Sequence, residues 1–171
     1  MTPRRAVLWI VVFAVLAAGG GGLLSRESGP ANEGPGQHLD GRVTKIVDGD
    51  TIHVLIGGRR EKIRYIGVDT PETHKPGTPV QCYGRAASAF NARLLAGRRV
   101  ELRTDAEARD RYGRLLAYVY RRPDGLFVNA ELVRRGFATI LTIPPNVAHA
   151  EEFLALQRAA RQAGRGLWDA C

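Results

Sequence analysis

The order of predicted strands and helices is the feature that most limits how this chain can fold. Alternating apolar residues, separated by glycine-rich turns such as Asp48-Gly49 and Gly57-Gly58, predict short strands, and a 3.6-residue apolar period predicts a helix. The strands cover 41–48, 51–56, 61–66, 99–103 and 115–120, and the helix covers 83–96. Five strands with a helix between the third and the fourth are the connectivity of an OB-fold barrel.

Two further helices are predicted after the last strand. Asn129 is a suitable N-terminal cap for a helix over 130–135 that stops at Gly136. A longer helix over 148–163 has apolar residues on one side and ends at Gly164. The pattern is compatible with an α+β protein, a five-stranded OB-fold β-barrel with about three α-helices.

Four short polar clusters fall at the ends and turns of these elements. They are Val47–Thr51, Ile63–Arg64, Val68–Glu72 and Asp110–Arg114. Taken singly, each is explained by turn chemistry or by an exposed arginine on a strand. Taken together they supply three carboxylates and two arginines, which can hold a hard cation, activate a water and neutralise a phosphate.

The roles of these side chains complement one another. Asp50 and Asp69 offer carboxylates to a cation such as Ca²⁺, and the Thr70 carbonyl adds a third protein oxygen. So few protein charges predict weak binding, which suits a calcium-rich extracellular fluid. The scattered histidines and cysteines have no zinc-ligand spacing, which argues against a soft metal.

The remaining members of the set predict acid–base chemistry on a phosphate. Glu72 follows Asp69 closely, with Pro71 fixing the path, and can accept a proton from a nearby water. Arg64 and Arg114 can donate paired hydrogen bonds to phosphate oxygens, a geometry that lysine does not reproduce.

The clusters, their order and their spacing resemble the staphylococcal (micrococcal) nuclease family from about Gly41 to Trp168. The resemblance implies an OB barrel followed by helices. It also implies calcium at Asp50, Asp69 and the Thr70 carbonyl, a general base at Glu72, and phosphate-binding catalytic arginines at Arg64 and Arg114. By the same resemblance Tyr112 touches a substrate phosphate, and Asp48 lies near the metal with a lesser role.

The implied reaction is hydrolysis of DNA, RNA or both at the 5′ P–O bond, which leaves 3′-phosphates. No obligate protein partner is implied, and we expect a monomer. One departure from the family concerns Leu141 and Ile143, which stand where the staphylococcal enzyme has two tyrosines in its nucleotide pocket. Base stacking of roughly 1–3 kcal/mol per base is therefore expected to be lost.

The N-terminal segment predicts export from the cytoplasm. Arg4-Arg5 precede the apolar run Ala6–Ala18, and small residues follow, as in a secretory signal peptide. Extended to Leu24, the run is also long enough for a membrane anchor. Residues 1–24 are thus either a cleaved signal or a tether through residues 6–24, residues 25–37 a disordered linker, and residues 38–171 the nuclease-like domain. Either way the domain is extracytoplasmic, secreted or anchored.

The two cysteines agree with this location, and the excess of positive charge agrees with a polyanionic partner. An even number of cysteines in an exported protein favours a Cys82–Cys171 disulfide over two free thiols. The net charge of +8 attracts polyanions such as nucleic acids, although solubility alone also accounts for it.

Two alternatives compete with an exported endonuclease. A catalytically weak or inactive module of the same fold would bind nucleic acid or protein, but such modules typically lose site carboxylates or arginines. A membrane-tethered structural domain with an incidental basic surface has no need of this residue set. Because all five side chains are present, the sequence favours the enzyme.

Overall fold

The computed structural model describes residues 34–73, 77 and 79–171. The predicted signal or anchor segment and residues 25–33 of the predicted linker lie outside the described residues. Among the helices of the described residues, none has the length and apolar character needed to cross a bilayer.

Seven strands and four helices form in the described part of the chain. The strands are β1 (His38–Ile46), β2 (Thr51–Ile56), β3 (Arg59–Tyr65), β4 (Gly67–Asp69), β5 (Arg99–Arg103), β6 (Leu115–Arg121) and β7 (Thr139–Leu141). The helices are α1 (Gly84–Leu95), α2 (Val128–Arg134), α3 (Ala150–Gln162) and α4 (Leu167–Ala170).

Five of the strands close into a barrel in the order β1-β2-β3-β6-β5, with β5 pairing back onto β1. Four of the five pairings are antiparallel, and β3 runs parallel to β6. A parallel pair needs a long crossover, which here contains α1 and β5. The closed five-stranded barrel with three helices of seven or more residues confirms the predicted fold class.

The alternation seen in the sequence produces the barrel core. Many residues at alternate positions of β2, β3, β5 and β6 point inward and are fully buried. They include Ile52, Val54, Ile63, Val100, Leu102, Leu115, Ala117 and Val119. The other residues of these strands face outward. The polar clusters therefore lie at turns and on the outer surface of the barrel.

Two small elements were not predicted. Strand β4 pairs antiparallel with β7 in a separate two-stranded sheet, in which Asp69 lies opposite Thr139. Each strand has only three residues, too few for an alternating pattern to show. Helix α4 is a single turn that follows Gly166.

The predicted capping role of Asn129 is wrong. Helix α2 begins at Val128, and its N-cap residue Phe127 makes no side-chain cap. The Asn129 side chain is instead fully buried, accepts from the Val119 N–H at 2.9 Å and donates to the Ile66 carbonyl at 2.9 Å. Buried backbone groups need partners, and Asn129 supplies them between β6 and the chain after β3.

The last residues assigned to the linker contact the domain. The Thr104 hydroxyl, just beyond β5, donates to the Gly34 carbonyl at 2.9 Å and accepts from the Gln37 N–H at 2.8 Å. Within the described residues, contact with the domain is therefore already made at Gly34, before His38.

A disulfide links Cys82, just before α1, to Cys171 after α4. The two cysteines are separated by 89 positions, so the bridge closes a loop that contains most of the domain after β4. It fixes the short helix α4 against the segment that leads into α1.

Replacing Cys82 and Cys171 together by serine is expected to lower the free energy of unfolding by about 2–4 kcal/mol, because the unfolded chain regains the freedom that the bridge removes. Urea denaturation of the oxidised protein and of the variant measures this difference. A reducing agent should bring the wild type to the variant's midpoint and leave the variant unchanged. Equal midpoints of the oxidised protein and the variant would contradict the prediction.

Candidate active site

The predicted metal-binding and catalytic residues meet at one end of the barrel. They come from the β1–β2 turn, the end of β3, the end of β4 with the segment after it, and the residue before β6. Together they line a single polar cavity of about 240 Å³. Its lining consists of Asp48, Asp50, Thr51, Arg64, Asp69, Thr70, Pro71, Glu72 and Arg114. The predicted metal-binding and catalytic residues are therefore all neighbours in the folded chain.

The β1–β2 turn is packed tightly against Thr70. A Cβ atom at Gly49 would lie 2.6 Å from the Thr70 hydroxyl oxygen, so only glycine permits this approach. The Asp50 carboxylate, only 5% exposed, accepts from the Thr70 N–H at 2.8 Å and from its hydroxyl at 2.9 Å. These bonds fix the carboxylate of the turn against the segment that carries Asp69 and Thr70.

A buried asparagine on α1 supports the same turn. Asn91 is fully buried, accepts from the Tyr65 hydroxyl at 2.9 Å and donates to the Asp48 carbonyl at 3.0 Å. It was not predicted as a site residue. The signal in the sequence was an amide on the apolar helix face that carries Ala87 and Leu95, four positions to either side.

Arg64 bridges the two carboxylates predicted to hold the metal. Its Nη2 donates to Asp69 Oδ1 at 2.8 Å, and its Nη1 lies 3.3 Å from Asp50 Oδ1. Nη1 also donates to the Val68 carbonyl at 2.7 Å, which ties the guanidinium to β4. The arginine therefore places a positive charge between Asp50 and Asp69.

Two carboxyl groups of the cavity have raised pKa values. Burial, followed by the nearby Asp50, raises the pKa of Asp48 from 3.8 to about 6. Burial also raises the pKa of Asp69, and this outweighs the opposing effect of Arg64. Burial and the neighbouring carboxylates therefore disfavour the ionised forms of Asp48 and Asp69.

The donor set fits a hard cation. The groups of the lining that can bind a metal are carboxylate, carbonyl and hydroxyl oxygens. The lining contains neither histidine nor cysteine. Within the described residues, no three acidic, histidine or cysteine side chains converge closely enough to form a metal site by themselves. The predicted set requires only the carboxylates of Asp50 and Asp69 together with the Thr70 carbonyl.

Glu72 lies in a loop that is held at its base. The Glu72 N–H donates to Gln81 Oε1 at 2.7 Å, and the Gln81 N–H donates to the Glu72 carbonyl at 2.9 Å. A Cβ at Gly84 would lie 2.9 Å from the Glu72 carbonyl oxygen, so the start of α1 also packs closely on this loop. The Glu72 carboxylate accepts from the Thr73 N–H at 2.8 Å.

Arg114 is oriented by Asp110, a residue for which the sequence predicted no separate role. Asp110 Oδ2 accepts from Arg114 Nε at 2.7 Å, and Oδ1 accepts from the backbone N–H groups of Arg114 and Tyr112. Burial acts to raise the pKa of Asp110, but these hydrogen bonds hold it below the usual value. The pair fixes the guanidinium at the entrance of β6.

A second cavity of about 470 Å³ adjoins the acidic one, and Arg64 and Arg114 line both. Tyr112, 67% exposed, lies in this second cavity and not in the acidic one. Leu141 and Ile143 line it as well, and both are exposed. The two arginines therefore stand between a carboxylate-lined cavity and a larger, partly apolar one.

Comparison with known proteins agrees with this arrangement. The family model described as staphylococcal nuclease homologue matches residues 62–170. A thermonuclease of Staphylococcus intermedius is 43% identical over 127 residues, and one of Staphylococcus hyicus is 41% identical over 127 residues. Each alignment covers 74% of this chain and 74% of the relative. Endonuclease YncB of Bacillus subtilis is 39% identical over 126 residues, which cover 72% of this chain and 59% of that protein. The chain belongs to the staphylococcal nuclease family.

Proposed function

We propose that this protein is a calcium-dependent endonuclease, exported from the cytoplasm, that hydrolyses phosphodiester bonds of DNA, RNA or both and leaves 3′-phosphates. Its membership of the family and its identity to thermonucleases and an endonuclease make it a nuclease, a hydrolase that acts on nucleic acid. The proposal rests on the cavity in which four carboxylates face two arginines.

Asp50, Asp69 and the Thr70 carbonyl are the proposed calcium ligands. When bound, calcium supplies a concentrated positive charge beside the substrate phosphate. The oxygen-rich lining supports a cation here, because a hard cation takes carboxylate and carbonyl oxygens as ligands.

Arg64 and Arg114 are the proposed phosphate-binding groups. Both line the acidic cavity, and each is oriented by a carboxylate, Asp69 for Arg64 and Asp110 for Arg114. Their N–H groups would bind the oxygens of the scissile phosphate, and these bonds strengthen as charge accumulates in the five-coordinate transition state.

Glu72 is the proposed general base. Glu72 lines the same cavity, Gln81 holds its backbone in place, and its carboxylate can accept a proton from an attacking water. The water oxygen bonds to phosphorus, the phosphorus–O5′ bond breaks, and the departing O5′ takes up a proton from solvent water. One fragment then ends in a 3′-phosphate and the other in a 5′-hydroxyl.

Export is proposed from two features. The basic and apolar pattern at the N-terminus is that of a secretory signal or anchor. The Cys82–Cys171 disulfide is typical of proteins that fold in an oxidising compartment.

Calcium titration by calorimetry tests the metal site directly. We expect saturable binding to the wild-type protein and an affinity at least about tenfold weaker in Asp50→Asn, because one ligand charge is lost. Asparagine keeps an acceptor oxygen for Thr70, and thermal unfolding checks that the variant is folded. The matched control is Asp124→Asn, which makes the same chemical change in the turn after β6, at the end of that strand away from Arg114. Equal affinities in Asp50→Asn and the control would exclude Asp50 as a ligand.

A further inference from the structure

The outer surface of β1, β2 and β3 carries a cluster of cations that the proposed chemistry does not use. Alternation in β2 and β3 turns every second residue outward, and a register shift in β1 between Val43 and Lys45 leaves both Arg42 and Lys45 opposite outward residues of β2. We call this surface the basic face, and its residues are Arg42, Lys45, His53, Arg60 and Lys62. The four arginines and lysines among them are all exposed.

The strand register aligns these residues in two rows across the sheet. Lys45 lies opposite His53, and His53 lies opposite Lys62. In the next row Leu55 stands between Arg42 and Arg60. Residues directly opposite across strands have Cβ atoms about 4.5–5.5 Å apart, and like charges so placed are destabilising.

The charge of this face is not neutralised as it is elsewhere on the protein. Arg121 pairs with Asp124, and Arg134 and Arg135 both pair with Glu131. In the part of the chain that the structure describes, none of the carboxylates forms an ion pair with a basic-face residue.

The cationic neighbours of His53, the histidine of the first row, affect its pKa. Burial lowers the pKa of His53, and the positive charges of Arg60, Lys45 and Lys62 lower it further. Those side chains therefore share one electrostatic environment. A surface that accumulates repulsion of this kind is stabilised when a polyanion binds to it.

The basic face is continuous with the candidate active site. Arg64 is on β3 two residues beyond Lys62, on the same side of the strand, and lies opposite Thr51 of the cavity lining. A step of two residues along a strand covers about 6–7 Å. That step is comparable with the distance between neighbouring phosphates of an extended nucleic-acid strand, so successive rows present cations at phosphate intervals.

We propose that the basic face binds the phosphate backbone of a nucleic-acid strand on one side of the scissile phosphate. The strand leaves Arg64, passes the row of Lys45, His53 and Lys62, and reaches the row of Arg42 and Arg60. The proposal rests on the proposed function and extends it from one phosphate to a substrate several nucleotides long. A nucleic acid fits better than an anionic membrane because the rows lead into the cavity that holds the reacting phosphate.

The test is binding of a fluorescent single-stranded DNA of about twenty nucleotides to the full chain, measured by anisotropy in chelator so that no cutting occurs. The double variant Lys45→Glu, Lys62→Glu is expected to bind at least about tenfold more weakly at low salt. The slope of log affinity against log salt should fall by about 0.7 for each phosphate that the variant no longer neutralises. The matched control, Arg158→Glu with Arg161→Glu on α3, makes the same charge change away from the face and should stay near wild type.

Two outcomes would overturn the proposal. One is equal affinity of the double variant and the control for DNA. The other is retained affinity of the double variant for DNA together with weaker binding to vesicles of phosphatidylserine and phosphatidylcholine, which would assign the face to membranes. Hydrolysis of a small phosphodiester by the wild-type protein tests the proposed function separately, because binding in chelator requires no catalysis. Thermal unfolding confirms that both variants are folded.

Discussion

Replacing Glu72 with glutamine is expected to lower kcat by about 10²–10⁴-fold while leaving the fold and calcium affinity nearly unchanged. Glutamine has the shape of glutamate and keeps an oxygen that can accept the Thr73 N–H, but it cannot take up a proton at neutral pH. The backbone bonds between residue 72 and Gln81 do not depend on the Glu72 side chain, so the loop should keep its path.

Steady-state hydrolysis of single-stranded DNA measures this loss, and calorimetry with calcium checks that the metal site is intact. Glu151→Gln, an exposed residue in the first turn of α3, makes the same chemical change away from the cavity and should cut at the wild-type rate. Near-normal turnover in Glu72→Gln would exclude Glu72 as the general base.

Replacing Arg114 with alanine is expected to lower kcat by about 10²–10³-fold and to weaken substrate binding much less. Its hydrogen bonds to the phosphate strengthen in the transition state, so their loss falls mainly on turnover. Alanine leaves Asp110 without its side-chain partner, but two backbone N–H groups still donate to that carboxylate.

A second substitution separates charge from geometry at Arg114. Arg114→Lys keeps the positive charge but lacks the planar pair of donors, so it should recover only a small part of kcat. Arg158→Ala on α3 is the control for loss of an exposed arginine. If KM rose in Arg114→Ala while kcat stayed unchanged, Arg114 would be a positioning contact for the ground state only.

The barrel could be predicted because its strands and turns are determined by residues that are close together in the sequence. Alternation along β2 and β3 sets which residues face inward, and Asp48-Gly49 marks the turn between β1 and β2. The grouping of Asp50, Arg64 and Asp69 follows from chemistry and family resemblance. The structure places these residues around one cavity because the β1–β2 turn, the end of β3 and the end of β4 lie next to one another.

The residues that support the site could not be predicted in the same way. Asn91 and Asn129 act through partners that are distant in sequence, such as the Asp48 and Ile66 carbonyls. Their need for partners arises only once the backbone groups are buried. At Asn129 the only signal in the sequence is the local preference of asparagine for helix caps, which predicts a cap. In the folded protein its amide is instead used by buried backbone groups that need hydrogen-bond partners. The short β4–β7 pairing likewise depends on residues distant in sequence.

Calcium dependence of hydrolysis is the most direct test of the central claim. Purified full-length protein would be incubated with single-stranded DNA in calcium and, separately, in a chelator, and the ends of the products would be identified. A calcium-dependent endonuclease of this kind should cut within the strand only when calcium is present, with 3′-phosphates on the products. Cutting at the same rate in chelator, or no cutting by folded protein in calcium, would contradict the claim.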